Sequence, residues 1–225
     1  MRDSLGAVRD EIINCRACPR LVEWRERVAV EKRASFRDEE YWGKPVPGFG
    51  DGAAKLLIVG LAPAAHGGNR TGRVFTGDRS GDWLFRALYR AGFANQPTSS
   101  HPGDGLTLSG AYVSAAVRCA PPANKPLPAE RDRCLPFLSR EVTLLPDVRV
   151  VVALGRFATD VLVPLFDLPK RPVFGHGAES PLPGNRTLVC SFHPSQQNTF
   201  TGKLTEAMLD GVFERARELC TTPDD

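Results

Sequence analysis

Four of the six cysteines stand at spacings that are typical of metal or cluster ligands. Cys15 and Cys18 form a Cys-x2-Cys pair, and Cys119 and Cys134 follow with 14 residues between them. Two thiolates three positions apart can converge on one centre, and a second pair completes a shell of four thiolates. Zinc accepts the same four ligands, so the spacing alone leaves open whether the centre is zinc or an iron–sulfur cluster.

A glycine-rich loop carries the densest set of polar side chains in the chain. Residues 60–78 read GLAPAAHGGNRTGRVFTGD. Such a loop can wrap backbone N–H groups around an anion or a flat polar ring. It lacks the Gly-Lys-Ser/Thr ending of a P-loop and the glycine spacing of a dinucleotide site. Within it, Phe75 is either a core side chain or a platform for stacking a base, and Asp78 is either a helix N-cap or a functional carboxylate.

A second loop, FHPSQQN at residues 192–198, follows the last predicted strand. His193 stands at the end of that strand, Pro194 stiffens the turn, and Ser195 offers a hydroxyl to a phosphate or a DNA groove. A lone histidine at such a place is more often structural than functional. The meaning of this loop therefore depends on what lies beside it.

Short apolar runs that alternate with helical patterns indicate the scaffold that must position these loops. Strands are predicted at residues 55–60, 111–117, 148–154 and 187–192, and helices at 7–15, 82–93, 128–145, 157–166 and 199–219. Nearly continuous apolar runs fit strands that are buried on both faces. We therefore predict an α/β fold, a three-layer α/β/α sandwich with a central, mostly parallel four-stranded sheet. Ligand sites in such folds lie at the carboxyl ends of strands, where both loops begin.

Length and composition exclude several classes of protein. A chain of 225 residues with 42% hydrophobic and 24% charged residues fits one globular domain over residues 1–225 and excludes a disordered chain. No apolar run reaches the ~18 residues of a membrane span, and the N-terminus lacks a signal peptide. We expect a cytoplasmic protein with no membrane partner, in which Cys190 and Cys220 are ordinary buried cysteines rather than disulfide partners. The net charge of +3 (29 basic minus 26 acidic residues) permits contact with a polyanion.

Together these features resemble the uracil-DNA glycosylase superfamily, most closely its family 5, the bacterial and archaeal type B enzymes with an iron–sulfur cluster. The resemblance is carried by GLAPAAHGGNRTGR, by HPSQQN and by the cysteine spacing, in the family's order, and it covers nearly the whole chain from Cys15. It implies a DNA-repair enzyme that hydrolyses the N-glycosidic bond of uracil and leaves an abasic site, the first step of base excision repair. We expect the protein to be a monomer and to act at the nucleoid.

The resemblance also implies roles for particular residues. Phe75 would stack on the flipped uracil, and His193 would stabilise negative charge on the leaving base. The substrate-binding set comprises Gly60, Leu61, Ala62, Pro63, Ala64, Phe75 and Ser195, and the catalytic set comprises Asp78, His193 and Asn124. A structural [4Fe-4S] cluster would be held by Cys15, Cys18, Cys119 and Cys134.

Two departures from related families bear on the chemistry. Leu61 and Ala62 are apolar where other families place an Asp, Asn or Glu that positions or activates water, so Asp78 and Asn124 are the candidates to replace it. Ala115 stands where family 4 has an Asn that reads uracil. We therefore expect looser recognition, which extends to deaminated purines such as hypoxanthine and xanthine.

Contacts with DNA are expected from basic residues near the loops. These are Arg70, Arg73, Arg118 and Lys125, while residues 196–200 are the expected wedge into the duplex. Two other classes remain open, namely an iron–sulfur redox protein and a non-catalytic nucleic-acid-binding module. The chain shows neither a flavin or nicotinamide motif nor a second cluster motif, which disfavours the redox protein.

Overall fold

A six-stranded sheet runs through the centre of the computed structural model, which describes residues 3–221. Its strands are β1 (Phe49–Gly50), β2 (Leu56–Gly60), β3 (Ala111–Ala115), β4 (Val150–Leu154), β5 (Glu179–Leu182) and β6 (Arg186–Ser191). The order is β1-β3-β2-β4-β6-β5, in which the four central strands are parallel and the two edge strands are antiparallel. The mostly parallel sheet is thus confirmed.

The predicted strand count of four was too low. The two additional strands, β1 and β5, are short and partly exposed, and neither contains a continuous apolar run. Apolar runs mark strands that are buried on both faces, so these edge strands lack the pattern that revealed the central four.

The helices in the described range lie on both sides of the sheet. They are α1 (Leu5–Ile13), α2 (Pro19–Glu31), α3 (Gly68–Thr71), α4 (Arg79–Arg90), α5 (Pro128–Thr143), α6 (Arg156–Leu165), α7 (Gln196–Phe200) and α8 (Glu206–Thr221). The sequence predictions missed α2, whose strongly polar composition hides its buried face. The single helix predicted at 199–219 was also wrong, because the chain breaks between α7 and α8, where Gly202 has a φ of +69°.

Two apolar cores confirm the three-layer arrangement. One core packs α4 and α8 against Leu56 and Ile58 of β2, and the other packs α5 and α6 against Leu57 and Val59 of the same strand. Alternate residues of a strand point to opposite faces, so each central strand contributes to both cores. Within residues 3–221, no helix is long and apolar enough to cross a membrane.

Candidate active site

A cavity of about 940 Å³ opens beside the carboxyl ends of β2 and β6. It is lined mainly by the glycine-rich loop and by the loop after β6, as the parallel sheet requires. The predicted site residues that line it are Leu61, Ala62, Ala64, Phe75, Asp78, Asn124, His193 and Ser195. Gly60 lies beneath the ring of Phe75, and Pro63 packs against Gly68 instead of lining the cavity.

Phe75 is both a core residue and part of the cavity wall. Its side chain is 7% exposed, and its backbone has a φ of +52°, which is unusual for a residue with a side chain. A Cβ at Gly60 would lie 2.6 Å from the ring, so glycine is required beneath it. The ring faces the imidazole of His193, with 5.9 Å between centroids and 33° between planes. The two aromatic groups thus form adjacent walls of one pocket.

His193 is an uncharged group in this pocket at neutral pH. Burial lowers the pKa of His193 to about 4, and its ring makes no hydrogen bond within residues 3–221. Its backbone carbonyl accepts a hydrogen bond from Asn198 Nδ2 at 2.9 Å, which fixes the start of the loop. A neutral imidazole has one N–H donor and one acceptor, and His193 lines the cavity in which a ligand can pair with them.

Asp78 is the N-cap of α4 and also lines the cavity, so both of the interpretations that the sequence left open are compatible with its position. Its Oδ1 accepts the backbone N–H of Gly81 at 3.0 Å, which makes it the N-cap of α4. Its Oδ2 packs against Gly67, where a Cβ would lie only 2.0 Å away. Burial raises the pKa of Asp78, while the backbone N–H groups of Gly81 and Ser80 act in the opposite direction. The carboxylate is therefore held rigidly at the cavity wall.

Asn124 and Ser195 lie at more open parts of the lining. Asn124 is exposed and ends the 3₁₀ turn Pro122–Asn124, with a φ of +55°. Ser195 is the N-cap of α7, and its Oγ accepts the N–H of Asn198 at 3.4 Å. Both side chains lie where they can meet a ligand that enters the cavity.

The sequence analysis missed several residues that line the cavity, among them His66, Arg33 and Phe36. His66 lies in the glycine-rich loop, and its Nδ1 is 3.0 Å from the hydroxyl of Tyr41. Burial, together with the nearby charges of Arg33 and Arg70, lowers the pKa of His66. Arg33 and Phe36 come from the segment after α2, which has no recognisable motif. His66, by contrast, was visible in the motif itself.

The structure corrects several of the expected DNA contacts. Arg118 is fully buried and pairs with Glu141 through two hydrogen bonds of 2.6 and 3.2 Å. Arg73 is buried against Asp104 at 2.6 Å. Arg70 is paired with Glu39 and with backbone carbonyls. Buried, paired guanidinium groups cannot reach a phosphate, whereas Lys125 is exposed as a phosphate contact requires.

The four predicted ligand cysteines are free thiols beside the cavity wall. Cys18, Cys119 and Cys134 are buried in one small cluster, against which Ala62 of the cavity lining packs, and Cys15 is half-buried. Burial raises the pKa of the Cys119 thiol to about 12, although Arg25 Nη1 donates to its Sγ at 3.0 Å. Among residues 3–221, no group of three or more His, Cys, Asp or Glu side chains is arranged to hold a metal ion.

Comparison with known proteins identifies the family. Residues 47–217 match the family model described as the uracil DNA glycosylase superfamily. The chain belongs to this superfamily. A type-5 uracil-DNA glycosylase of Thermus thermophilus is 55% identical over 206 residues, which are 91% of this chain and 93% of that protein. A second type-5 enzyme, from Mycobacterium leprae, is 52% identical over 219 residues, or 96% of each chain. A third, from Mycobacterium bovis, is 55% identical over 208 residues, or 91% of this chain and 78% of that protein.

The structure shows where the three apolar residues lie that replace polar residues of related families, namely Leu61, Ala62 and Ala115. Leu61 and Ala62 line the cavity but carry no polar group, and Ala115 is buried behind it. The carboxylates that line the cavity in the described range are Asp78 and Asp82, of which Asp82 is exposed to solvent. Asp78 is therefore the more shielded of the two carboxylates that line the cavity in the described range.

Proposed function

We propose that this protein hydrolyses the N-glycosidic bond between uracil and deoxyribose in DNA. The observation that carries the proposal is one cavity with an aromatic wall, a neutral histidine and a shielded carboxylate, formed by Phe75, His193 and Asp78. A base within a duplex cannot reach this cavity, so the nucleotide must be flipped out of the stack. The ring of Phe75 then provides the surface on which the uracil stacks.

The leaving base requires stabilisation of negative charge. The bond breaks with its electron pair on uracil, which leaves as an anion, while positive charge develops on the sugar. His193 is uncharged at neutral pH and can donate its N–H to an oxygen of the departing ring. A neutral donor placed in advance stabilises the charge without reorganisation of solvent.

The sugar and the attacking water require the opposite charge. The Asp78 carboxylate, fixed by the helix N-terminus and by Gly67, is the group that accepts a proton from water as it attacks the sugar. Asn124 orients that water through its amide. The hydroxyl adds to the sugar carbon, the proton passes through Asp78 to solvent, and uracil takes up a proton after it leaves.

Recognition of the base is expected to be broad. The inner lining formed by Leu61, Ala62 and Ala64 offers no side-chain hydrogen bond to distinguish one deaminated base from another. A lining without such polar groups discriminates weakly by hydrogen bonding, and a cavity of about 940 Å³ has room for a bicyclic purine as well as for uracil. Hypoxanthine and xanthine are therefore included as substrates. The abasic product is in turn the substrate of enzymes that cleave DNA at abasic sites, which is the next step of base excision repair.

We propose that the four thiols hold a structural [4Fe-4S] cluster. The donor set fits this group because Arg25 donates to Cys119 and the backbone N–H of Arg118 donates to Cys134, and such donors suit thiolates rather than ordinary buried thiols. Cys15, Cys18, Cys119 and Cys134 would hold the cluster, one thiolate from each. When bound, the cluster supplies a covalent tie between the α1–α2 segment and the β3–α5 segment.

Excision of uracil from duplex and single-stranded oligonucleotides tests the glycosylase proposal. The purified full chain is incubated with DNA that contains uracil, hypoxanthine or xanthine, and abasic sites are revealed by alkaline cleavage. His193→Ala and Asp78→Ala are each expected to lose about 100-fold or more in kcat, as when one transition-state donor is removed. Lys55→Gln, an exposed change at the amino end of β2, is the control and should retain full activity.

Each part of the proposal can be contradicted separately. Absence of abasic sites on every uracil substrate, with tight DNA binding retained, would identify a non-catalytic binding module. An Asp78→Ala loss no larger than that of Lys55→Gln would remove Asp78 from the water-activating role. Colourless protein that contains zinc but neither iron nor inorganic sulfide would reject the cluster.

A further inference from the structure

A chain of buried contacts links the thiol cluster to the glycine-rich loop. Arg25 of α2 is 2% exposed, and its Nη1 lies 3.0 Å from Cys119 Sγ and 3.2 Å from the carbonyl oxygen of Cys15. The backbone carbonyl of the same Arg25 accepts a hydrogen bond from Nδ2 of Asn69 at 3.2 Å. One residue thus contacts two of the four cysteines through its side chain and the glycine-rich loop through its backbone.

Asn69 is placed for this contact at an energetic cost. Its side chain is fully buried, and its Oδ1 has no hydrogen-bond partner in the described part of the chain. An unsatisfied buried polar atom is destabilising, so the hydrogen bonds of the other groups of Asn69 must offset that cost. Besides the contact with Arg25, its backbone carbonyl accepts the N–H of Gly43 at 3.0 Å, and its backbone N–H donates to Ala64 at 3.0 Å.

The segment that Asn69 anchors contains part of the cavity wall. His66 lines the cavity three residues before Asn69, and Gly67 is the residue against which the Asp78 carboxylate packs. The position of Asn69 therefore sets the position of the backbone beside Asp78. Ala62 provides a second contact, since it lines the cavity on one side and packs on the thiol cluster on the other.

We propose that Arg25 and Asn69 are positioning residues that couple occupancy of the four-cysteine site to the geometry of the catalytic loop. With the cluster bound, the Cys119 thiolate accepts the hydrogen bond from the guanidinium of Arg25 and so fixes this residue of α2. The backbone carbonyl of Arg25 then fixes Asn69, and with it the loop that packs beside Asp78. The proposal rests on the cluster and on the glycosylase activity proposed above. It adds that the cluster orders the catalytic loop as well as stabilising the fold.

Hydrogen–deuterium exchange of the loop tests this coupling directly. In the iron-loaded wild type, the amides of residues 69–72 are protected by hydrogen bonds to carbonyls of residues 64–68. Removal of iron from the wild type is expected to speed their exchange by about tenfold, the effect of losing one buried hydrogen bond. Asn69→Leu keeps the branching at Cγ and lacks the donor, so it should show the same fast exchange while it retains iron.

A combined experiment separates coupling from general loosening. Removal of iron from Asn69→Leu should cause no further increase in loop exchange, because the connection is already broken. Arg25→Lys keeps the charge and a donor, so the amides of residues 69–72 should exchange more slowly in this variant than in Arg25→Met. Arg27→Gln changes an exposed arginine of the same helix and should match the wild type. Uracil excision by iron-loaded Asn69→Leu should show a lower kcat with little change in KM.

Two results would overturn the proposed coupling, and both can be distinguished from failure of the proposed glycosylase activity or of the proposed cluster. Equal loop exchange in wild type with and without iron, or a full response to iron removal in Asn69→Leu, would reject the coupling while leaving the cluster and the activity intact. Wild-type protein that never holds iron would reject the cluster and the coupling together. Loss of excision with an intact exchange pattern would instead concern the catalytic residues alone.

Discussion

His193 has a protonation state that its surroundings decide. A solvent-exposed histidine titrates near neutral pH, but burial beside Phe75 lowers the pKa of His193 to about 4. The imidazole is therefore neutral over the whole physiological range. Its donor role in the proposed reaction then requires no proton uptake from solvent.

A pH–rate profile examines this property. We expect kcat for uracil excision to show no histidine titration between about pH 6 and about pH 8, since His193 stays neutral there. Protonation of His193 should reduce the rate only at more acidic pH. Burial raises the pKa of Asp78, so an inflection from that carboxylate should persist in His193→Gln. His193→Gln keeps a donor and is expected to lose less activity than His193→Ala.

A wild-type inflection near the ordinary histidine pKa of about 6.5 that disappears in His193→Gln would contradict this expectation. His101 serves as the control, because it is exposed and does not line the cavity. The profile of His101→Gln should coincide with that of the wild type.

Gly67 provides a second test at the scale of single residues. A Cβ there would stand 2.0 Å from Oδ2 of Asp78, so Gly67→Ala must displace the carboxylate or the loop. A displacement of about 1 Å in a catalytic group can reduce the rate by about 100-fold, and we expect a fall in kcat of this order. Gly211→Ala is the matched control, since no atom outside its own turn of helix lies within 4 Å of the place that the added methyl group would take. Equal rates for the two variants would show that the contact has no catalytic role.

At the scale of elements, the short helix α7 is the part of the site most open to solvent. Phe200, its last residue, is 67% exposed and lies under the guanidinium of Arg79 at 4.4 Å. Gln196 and Gln197 of the same helix line the cavity. For the proposed reaction, an exposed aromatic ring that packs against the cavity-lining Arg79 is suited to insertion between base pairs.

Replacement of this ring distinguishes duplex from single-stranded substrates. We expect Phe200→Ala to raise KM for uracil in duplex DNA by several-fold and to have little effect on single-stranded DNA, where no stacking must be broken. Tyr89→Ala removes an exposed aromatic near the far end of α4 and should affect neither substrate. Equal effects of Phe200→Ala on both substrates would indicate a general contact rather than a wedge.

At the scale of the whole molecule, the basic residues include an exposed group near the cavity and a buried, paired group. Arg33 and Arg79 are exposed and line the cavity, and Lys125 is exposed next to Asn124. Other arginines, such as Arg118 and Arg73, form buried ion pairs within the protein and are not available to a ligand. A net charge of +3 is therefore compatible with a basic rim.

The salt dependence of DNA binding tests whether the exposed basic residues at this rim contact phosphates. Each phosphate contact contributes a slope of about −0.9 to log K against log salt, so Arg79→Gln and Lys125→Gln should each reduce the slope by about one. Lys55→Gln makes the same change of charge at the amino end of β2 and should leave the slope unaltered. If all three variants changed the slope equally, the rim would have no special part in binding.

The sequence by itself determined the central sheet, the two loops that line the cavity, and the family. Local patterns suffice for these features because buried strands are continuous apolar runs, and because a glycine-rich loop and a His-Pro-Ser loop are contiguous in the chain. The same reasoning could not settle Asp78, whose type suits an N-cap and a catalytic carboxylate equally well. The structure shows the cap contact with Gly81 and the cavity position together.

Only the tertiary structure decided which charged residues are available to a ligand. Arg118 and Arg73 look like Lys125 in the sequence, but their partners Glu141 and Asp104 lie 23 and 31 residues away and bury them. The tie from Cys119 through Arg25 to Asn69 likewise joins residues that are 94 and 44 positions apart. Such contacts depend on how the elements pack in space, and no local pattern in the chain records them.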